Sequence, residues 1–300
     1  RLVHHMLSVL IPIYNFDIRA FAKQLSDQAQ SLEVEVEIIC LDDKSDAQFN
    51  ALHAELSAYP SVKYIASEIN LGRSAIRNKL ASLARFENLL YLDCDGACVS
   101  EHYLKNYLNY LPNYDVIYGG RVYQEDRPED INYHFHWYCG TAREEIPVEI
   151  RKEQPYKSFM TNNFLIRKEI YNKVMMDETI VGYGHEDTFF AIELKSIGFR
   201  IDHIDNPIKH IGIESTDVFL QKSENGVKNL AHLMRQNKVG DSIKLVKYHR
   251  ISTRFGLMPL VKLFINFRMK AIEQHFKSAA PNLLWFDLWK LVKLDKFLKA

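Results

Sequence analysis

The chain has 300 residues, 38 Lys and Arg against 38 Asp and Glu, an apolar fraction of 47% and four cysteines. That length allows one or two domains with a large core. A formal charge of zero gives no reason to expect a nucleic-acid partner, the cysteines are too few for a disulfide scaffold, and no apolar run reaches the ~18 residues of a membrane span.

The charge is unevenly spread. Residues 241–300 hold 12 basic and 4 acidic residues, whereas the first 240 hold 26 and 34. A basic terminal segment with its own task is therefore expected. Cys94 and Cys98 are spaced loosely like metal ligands, but no second pair follows. Free thiols in a reducing cytosol are the better reading. Arg1–His5 reads as a remnant ahead of Met6 and is set aside.

In chain order, Met6–Ile13 is a buried strand ending in the turn signal Pro12-Ile-Tyr-Asn15. Asp17 can cap a helix with Ile18, Phe21, Leu25 and Ala29 on one face. Val34–Leu41 is the next strand and ends in Asp42-Asp-Lys-Ser45; a helix with Phe49, Leu52 and Leu56 follows. After a short strand at Val62–Ile65, Asn70-Leu-Gly-Arg-Ser74 turns into a helix expected to expose Arg77, Asn78 and Lys79.

Leu89–Leu92 is a short buried strand that stops in Asp93-Cys-Asp-Gly96. Two carboxylates at the carboxyl end of such a strand are costly unless donors or a cation satisfy them, and Mg²⁺ or Mn²⁺ carrying a diphosphate would do so. An ordinary strand-to-loop turn uses the same residues, so the motif alone does not decide. Ser100 can cap a helix bearing Tyr103, Leu104 and Tyr107, and Val116–Gly119 is another strand. Residues 121–160 read as a long irregular loop, with His134, His136, Trp137 and Tyr138 clustered. Asn162–Arg167 is a strand before a helix from Lys168. Gly182-Tyr-Gly-His-Glu-Asp187 is a flexible loop whose two acids open the helix 188–196. A return strand from Gly198 leads to Pro207-Ile-Lys-His210-Ile-Gly212.

Strands alternating with helices predict an α/β fold with a mostly parallel sheet. Its strand ends would gather Tyr14, Asp43, Arg73 or Arg77, Asp93 and Asp95 in one crevice. These suit a nucleoside diphosphate: a ring to cover a base, an acid to accept from it, arginine for phosphate, and two acids for ribose and metal. No Gly-x-Gly-x-x-Gly follows the first strand and no Walker-type loop is present, so neither a dinucleotide site nor a P-loop is supported.

Taken together, Pro12-Ile-Tyr-Asn15, Leu41-Asp-Asp-Lys-Ser45, Asn70-Leu-Gly-Arg-Ser-Ala-Ile-Arg-Asn78, Leu92-Asp-Cys-Asp95 and Gly184-His-Glu-Asp187 resemble glycosyltransferase family 2 over residues 6–215. The resemblance implies the GT-A fold: a nucleotide-binding half over 6–98, an acceptor half over 99–215, and a catalytic domain running to about 240. It implies inverting transfer from a nucleotide-sugar, read here as uridine-based, to a hydroxyl of a glycan or lipid-linked acceptor. Tyr14 would then contact the base, with Pro12 shaping the loop and Asp43 accepting from the base. Arg73 or Arg77 would neutralise the diphosphate. Asp93 would sit near the ribose, and Asp95 would bind Mn²⁺ or Mg²⁺, with His210 matching a further ligand position. The pair Glu186 and Asp187 matches the family's acidic motif, whose Asp commonly serves as base: Asp187 would take the acceptor proton and Glu186 would orient the acceptor or hold the loop, with the reverse assignment open. Trp137 and Asn163 are candidates for sugar contacts. One departure stands out: Gly96 occupies the place of the last acid in the common Asp-x-Asp-Asp form.

Two rival readings are a sugar-nucleotide nucleotidyltransferase and a binding module with a dead site. The first usually carries a Gly-rich basic loop after its first strand, and Ile11–Asn15 lacks one. Residues 241–300 read as basic amphipathic helices. From 256 on they suit either an anionic membrane surface or packing against protein. The first option would make the chain peripheral on the inner face of a membrane.

Overall fold

A computed structural model describes residues 6–300; the Arg1–His5 segment lies outside the described residues. The elements in chain order are β1 (Leu7–Ile13), α1 (Arg19–Gln30), β2 (Val36–Asp42), α2 (Ala47–His53), β3 (Val62–Ala66), α3 (Arg73–Leu83), β4 (Asn88–Leu92) and β5 (Gly96–Cys98). Then come α4 (Tyr103–Leu108), β6 (Val116–Tyr118), β7 (Arg121–Val122), α5 (His134–Arg143), α6 (Val148–Glu153), β8 (Asn163–Arg167), α7 (Lys168–Val174), α8 (Glu186–Ile197), β9 (Ile201–His203) and β10 (Ile208–His210). Four helices close the chain: α9 (Thr216–Arg235), α10 (Lys244–Arg254), α11 (Met258–Phe276) and α12 (Leu283–Lys299).

The chain forms two compact units. The first comprises residues up to 124, 145–179 and 186–212; the second comprises 125–144, 180–185 and 213–300.

The first unit holds a seven-stranded sheet in the order β3-β2-β1-β4-β8-β6-β9. All its neighbours are parallel except β8, which runs antiparallel between β4 and β6. The central strands β1 and β4 are apolar at most positions because both their faces are covered, whereas the edge strands β3 and β9 expose Lys63 and Asp202. Leu7, Val9 and Ile11 of β1 pack with Phe21 and Leu25 of α1, while Leu10 points to the other face with Ile76 and Leu80 of α3. The order reverses between β1 and β4, the switch point at which open sheets bind ligands. The β1–β4 pairing ends at Leu10↔Tyr91, whereas β1–β2 continues to Ile13↔Asp42. Pro12, which cannot donate to a ladder, falls two residues past Leu10, where β4 no longer pairs with β1. A second sheet of three short strands runs β5-β10-β7.

Three sequence expectations change here. Arg77 and Asn78 are buried, not exposed. Both have partners that make burial tolerable: Arg77 meets Asp93, and Asn78 bonds the Met176 backbone and the Tyr171 hydroxyl. Residues 121–160 are not one irregular loop but contain β7, α5 and α6; their aromatic and charged composition masked short elements. Asn163, a candidate sugar contact by sequence, has its side chain turned into the protein. It is fully buried at the start of β8, where its Oδ1 accepts from Tyr103 at 2.5 Å and Tyr107 at 2.6 Å. Its Nδ2 donates to the Gly120 carbonyl at 2.8 Å and the Asn206 carbonyl at 3.0 Å.

The second unit is helical. Phe135 of α5, Leu220 of α9, Ile265 and Phe276 of α11, and Phe286 and Trp289 of α12 share one core. This is why α5 and α9 belong with 241–300: their apolar faces complete one another. Buried Asp295 draws α10, α11 and α12 together by meeting His249 at 3.1 Å, Lys262 at 2.8 Å and Lys299 at 2.9 Å. Trp137 lies on α5 in this unit, half-buried. No helix among the described residues is long and apolar enough to cross a membrane.

Candidate active site

The crevice at the carboxyl end of β1, β2 and β4 is built by loops that hold one another. After β1, Asn15 adopts a left-handed φ of 48°, and its backbone N–H and side-chain carbonyl bond Ser45 and Asp46 of the loop after β2. This leaves Tyr14 55% exposed, an aromatic ring free to lie against a base. Asp43 accepts from the backbone N–H groups of Leu71 and Gly72 at 2.5 and 2.9 Å. It thereby fixes the entry to α3, where Gly72 takes a φ of 83°. Burial pushes the Asp43 carboxyl above the usual range against the pull of those donors. A carboxylate offers about four acceptor sites, so two remain for a ligand.

Arg73 and Arg77 begin α3 one turn apart and divide their work. Arg77 is 2% exposed and donates to Asp93 at 2.6 Å and to the Arg73 carbonyl at 3.0 Å. Arg121 of β7 approaches the other Asp93 oxygen at 3.5 Å. Arg77 is thus a positioning group for Asp93. Arg73 is more open and donates from Nε to Glu186 at 2.5 Å. Arg121 was not anticipated: it sits in the stretch read as irregular, and no spacing signal linked it to Asp93.

Asp95 lies just before β5, and β5 pairs with β10 so that Gly96 stands opposite His210. His210 Nδ1 is 3.3 Å from Asp95 Oδ1. Burial would raise the Asp95 carboxyl, but His210, Arg121 and Arg73 outweigh it and hold the group ionised well below the ordinary range. The glycine at 96 now has a packing reason: a Cβ there would come 2.7 Å from Ile208 Cγ2 and 3.1 Å from the Phe21 ring. Among the described residues, no group of three His, Cys, Asp or Glu side chains could hold a metal ion unaided. A carboxylate with an adjacent imidazole does fit a cation whose remaining shell is phosphate oxygen and water.

Glu186 and Asp187 open α8 in different surroundings. Glu186 is buried; burial raises its carboxyl, but Arg73 and Arg77 reverse this and hold it below the ordinary value. Asp187 is half-buried and, among the described residues, hydrogen-bonds its neighbour Thr188 alone, at 2.6 Å from the backbone N–H and 3.3 Å from the hydroxyl. Burial first, then the charge of Glu186, pushes its carboxyl up to about 6.

The fold is that of the GT-A glycosyltransferases. Structures it resembles include the mannosyltransferase PcManGT from Pyrobaculum calidifontis in complex with GDP-Man and Mn²⁺ (TM-score 0.58, 13% identity, 98% of this chain and 86% of that one). Another is glucosyl-3-phosphoglycerate synthase from Mycobacterium tuberculosis with Mn²⁺, UDP and glucosyl-3-phosphoglycerate (TM-score 0.54, 13% identity, 79% and 81%). A third is S. aureus TarS (TM-score 0.53, 17% identity), of which this chain, over 76% of its own length, spans 42%. No curated protein matches the sequence. The model of the family described as glycosyl transferase family 2 matches residues 8–175, and the chain belongs to that family.

Proposed function

We propose that the chain transfers a sugar, with inversion, from a nucleoside diphosphate sugar to a hydroxyl of a glycan or lipid-linked acceptor, and that Asp187 is the base. The carrying observation is the contrast within the acidic pair. Glu186 is committed to Arg73, whereas Asp187 is held only through one oxygen by Thr188, and its carboxyl is pushed up to about 6, toward the range in which a general base works best. Asp187 takes the acceptor proton as the acceptor oxygen bonds C1; the C1–O bond to the diphosphate breaks, and the nucleoside diphosphate departs. Arg73 faces the negative charge that develops on that leaving group. Tyr14 covers the base and Asp43 accepts from it, while Pro12 sets the loop that presents Tyr14. Asp93, held by Arg77 and Arg121, is offered to the ribose.

Asp95 and His210 would hold a divalent ion, Mn²⁺ or Mg²⁺, which when bound with the donor would withdraw charge from the diphosphate. The neighbours' complexes with Mn²⁺ support a divalent metal, and their nucleotides, GDP-mannose in one and UDP in the other, leave both bases to be tried. Our reading is a uridine nucleotide. Trp137 stays a candidate acceptor contact.

Calorimetric titration of UDP with Mn²⁺ and then with EDTA tests this reading. Metal-dependent binding that disappears in Asp95→Ala is the expected result. Binding of GDP in place of UDP would overturn the base assignment, and binding of neither would overturn the donor site.

A further inference from the structure

Helix α11 carries two apolar faces, and only one is used. Met258, Ile265, Ile272 and Phe276 are buried in the helical core. Leu260, Leu263 and Phe267 repeat at i, i+3 and i+7 and form a second stripe turned away from it, with Phe264 at its edge stacked on Trp285 of α12; Phe267 is 88% exposed, Leu263 72% and Leu260 65%. Phe255 and Leu257, in the turn from α10, extend the exposed apolar surface. Isolated exposed apolar residues are ordinary, but a continuous stripe of this size marks a docking surface.

Charge selects the occupant. Residues 244–270 contain seven Lys and Arg and no Asp or Glu. Arg250 meets Asp241 and Lys262 meets Asp295; Lys244, Lys247, Arg254, Arg268 and Lys270 form no ion pair among the described residues. At 100° per residue, Arg268 and Lys270 fall on the two flanks of the stripe. A second copy of this chain seated on the same face would bring one cationic segment against another, which an isologous interface cannot relieve. An anionic lipid surface answers both features, because acyl chains take the apolar side chains and headgroups take the cations.

We propose that the exposed stripe of α11, with the basic surface of α10, docks this chain on an anionic membrane. The anchor is the α10–α11 corner and not the Trp-rich α12, whose Phe286 and Trp289 are spent in the core. The proposal does not depend on the donor site.

The test is flotation of the full chain with vesicles of phosphatidylcholine containing 30 mol% phosphatidylglycerol, against vesicles of phosphatidylcholine alone. The chain should float with the anionic vesicles and lose binding at least ~10-fold with the neutral ones, since each near-surface cation contributes roughly fivefold. Leu263→Glu/Phe267→Glu should abolish flotation, and Arg268→Gln/Lys270→Gln should weaken it, with the melting temperature and circular dichroism of the full chain unchanged in both. All four side chains lie outside the buried core, so these variants keep the fold. No flotation with anionic vesicles, or flotation undiminished in the Leu263→Glu/Phe267→Glu variant, would overturn the proposal. So would a dimer in light scattering that the same variant dissolves without any vesicle binding.

Discussion

Gly212 leaves Asp95 its space: a Cβ on Gly212 would lie 2.6 Å from Asp95 Oδ2 and 2.7 Å from its Cβ. The Ile211 backbone N–H donates to the Asp95 carbonyl at 2.9 Å, so the chain after β10 is fastened against this residue and cannot back away cheaply. Gly212→Ala should therefore displace the Asp95 carboxylate. We expect metal-dependent nucleotide affinity to fall by about 10-fold or more while melting temperature changes little, since the strain is local. Calorimetry with and without Mn²⁺ reads both effects.

Asp187 gives a pH prediction with a definite sign. Its folded value of about 6 lies above the ordinary carboxylate value near 3.9, so the fold binds this proton more tightly than the unfolded chain does. The group therefore costs stability progressively as pH rises from about 4 to about 6, and the cost is constant above that. Asp187→Asn should abolish transfer, keep nucleotide binding, and raise stability at pH 8 by roughly 1–2 kcal/mol once its partial exposure is discounted. The gain should vanish below pH 4. Denaturant melts at pH 8 and pH 4 measure it, and full activity in this variant would sink the assignment.

Removing the arginine beside the acidic pair should move the same titration. Arg73 lowers the Asp187 carboxyl and pairs with Glu186. In Arg73→Met, Glu186 loses its partner and Asp187 loses a stabilising charge. The pH at which kcat/KM reaches half its maximum should shift upward, and the KM for donor should rise. A profile that does not move would show that Asp187 is not the titrating base.

Restoring the common acidic motif should fail for a packing reason. In Gly96→Asp the new Cβ meets Ile208 and Phe21, a local overpacking worth roughly 1–3 kcal/mol. The loss of melting temperature should come with no gain in metal affinity.

Asn163 shows where sequence reading ends. An Asn beside an apolar run looks like a polar group on display, yet four partners from distant segments enclose it. Asn163→Leu should cost about 2–4 kcal/mol, because the Tyr103 and Tyr107 hydroxyls and the Asn206 carbonyl lose a buried partner, while the Gly120 carbonyl keeps the Ile208 N–H. Arg77 misled in the same way: helical spacing cannot tell a solvated arginine from one buried on Asp93. What was legible were short-range patterns, such as buried strands ending in Asp42-Asp43 and Asp93-Cys94-Asp95, and glycines before Glu186. The sheet order followed from alternation of elements. The links from Arg121 to Asp93, and from Gly212 to Asp95, join residues far apart in sequence and leave no periodic trace.

The pairing of Gly96 with His210 bears on how the site comes into being. Asp95 can meet the imidazole only after a strand more than a hundred residues later has closed against β5, and Arg73 meets Glu186 across a similar span. Contacts of such long sequence separation form late, because their loop-closure entropy is met only when the intervening chain has folded. A fragment ending near residue 98 would hold Tyr14, Asp43, Arg73, Asp93 and Asp95 and still lack the Asp95–His210 contact. If the proposed donor site is right, a nascent chain should not bind nucleotide with metal until the segment through His210 has emerged and docked, so that binding would report completed folding of the first unit.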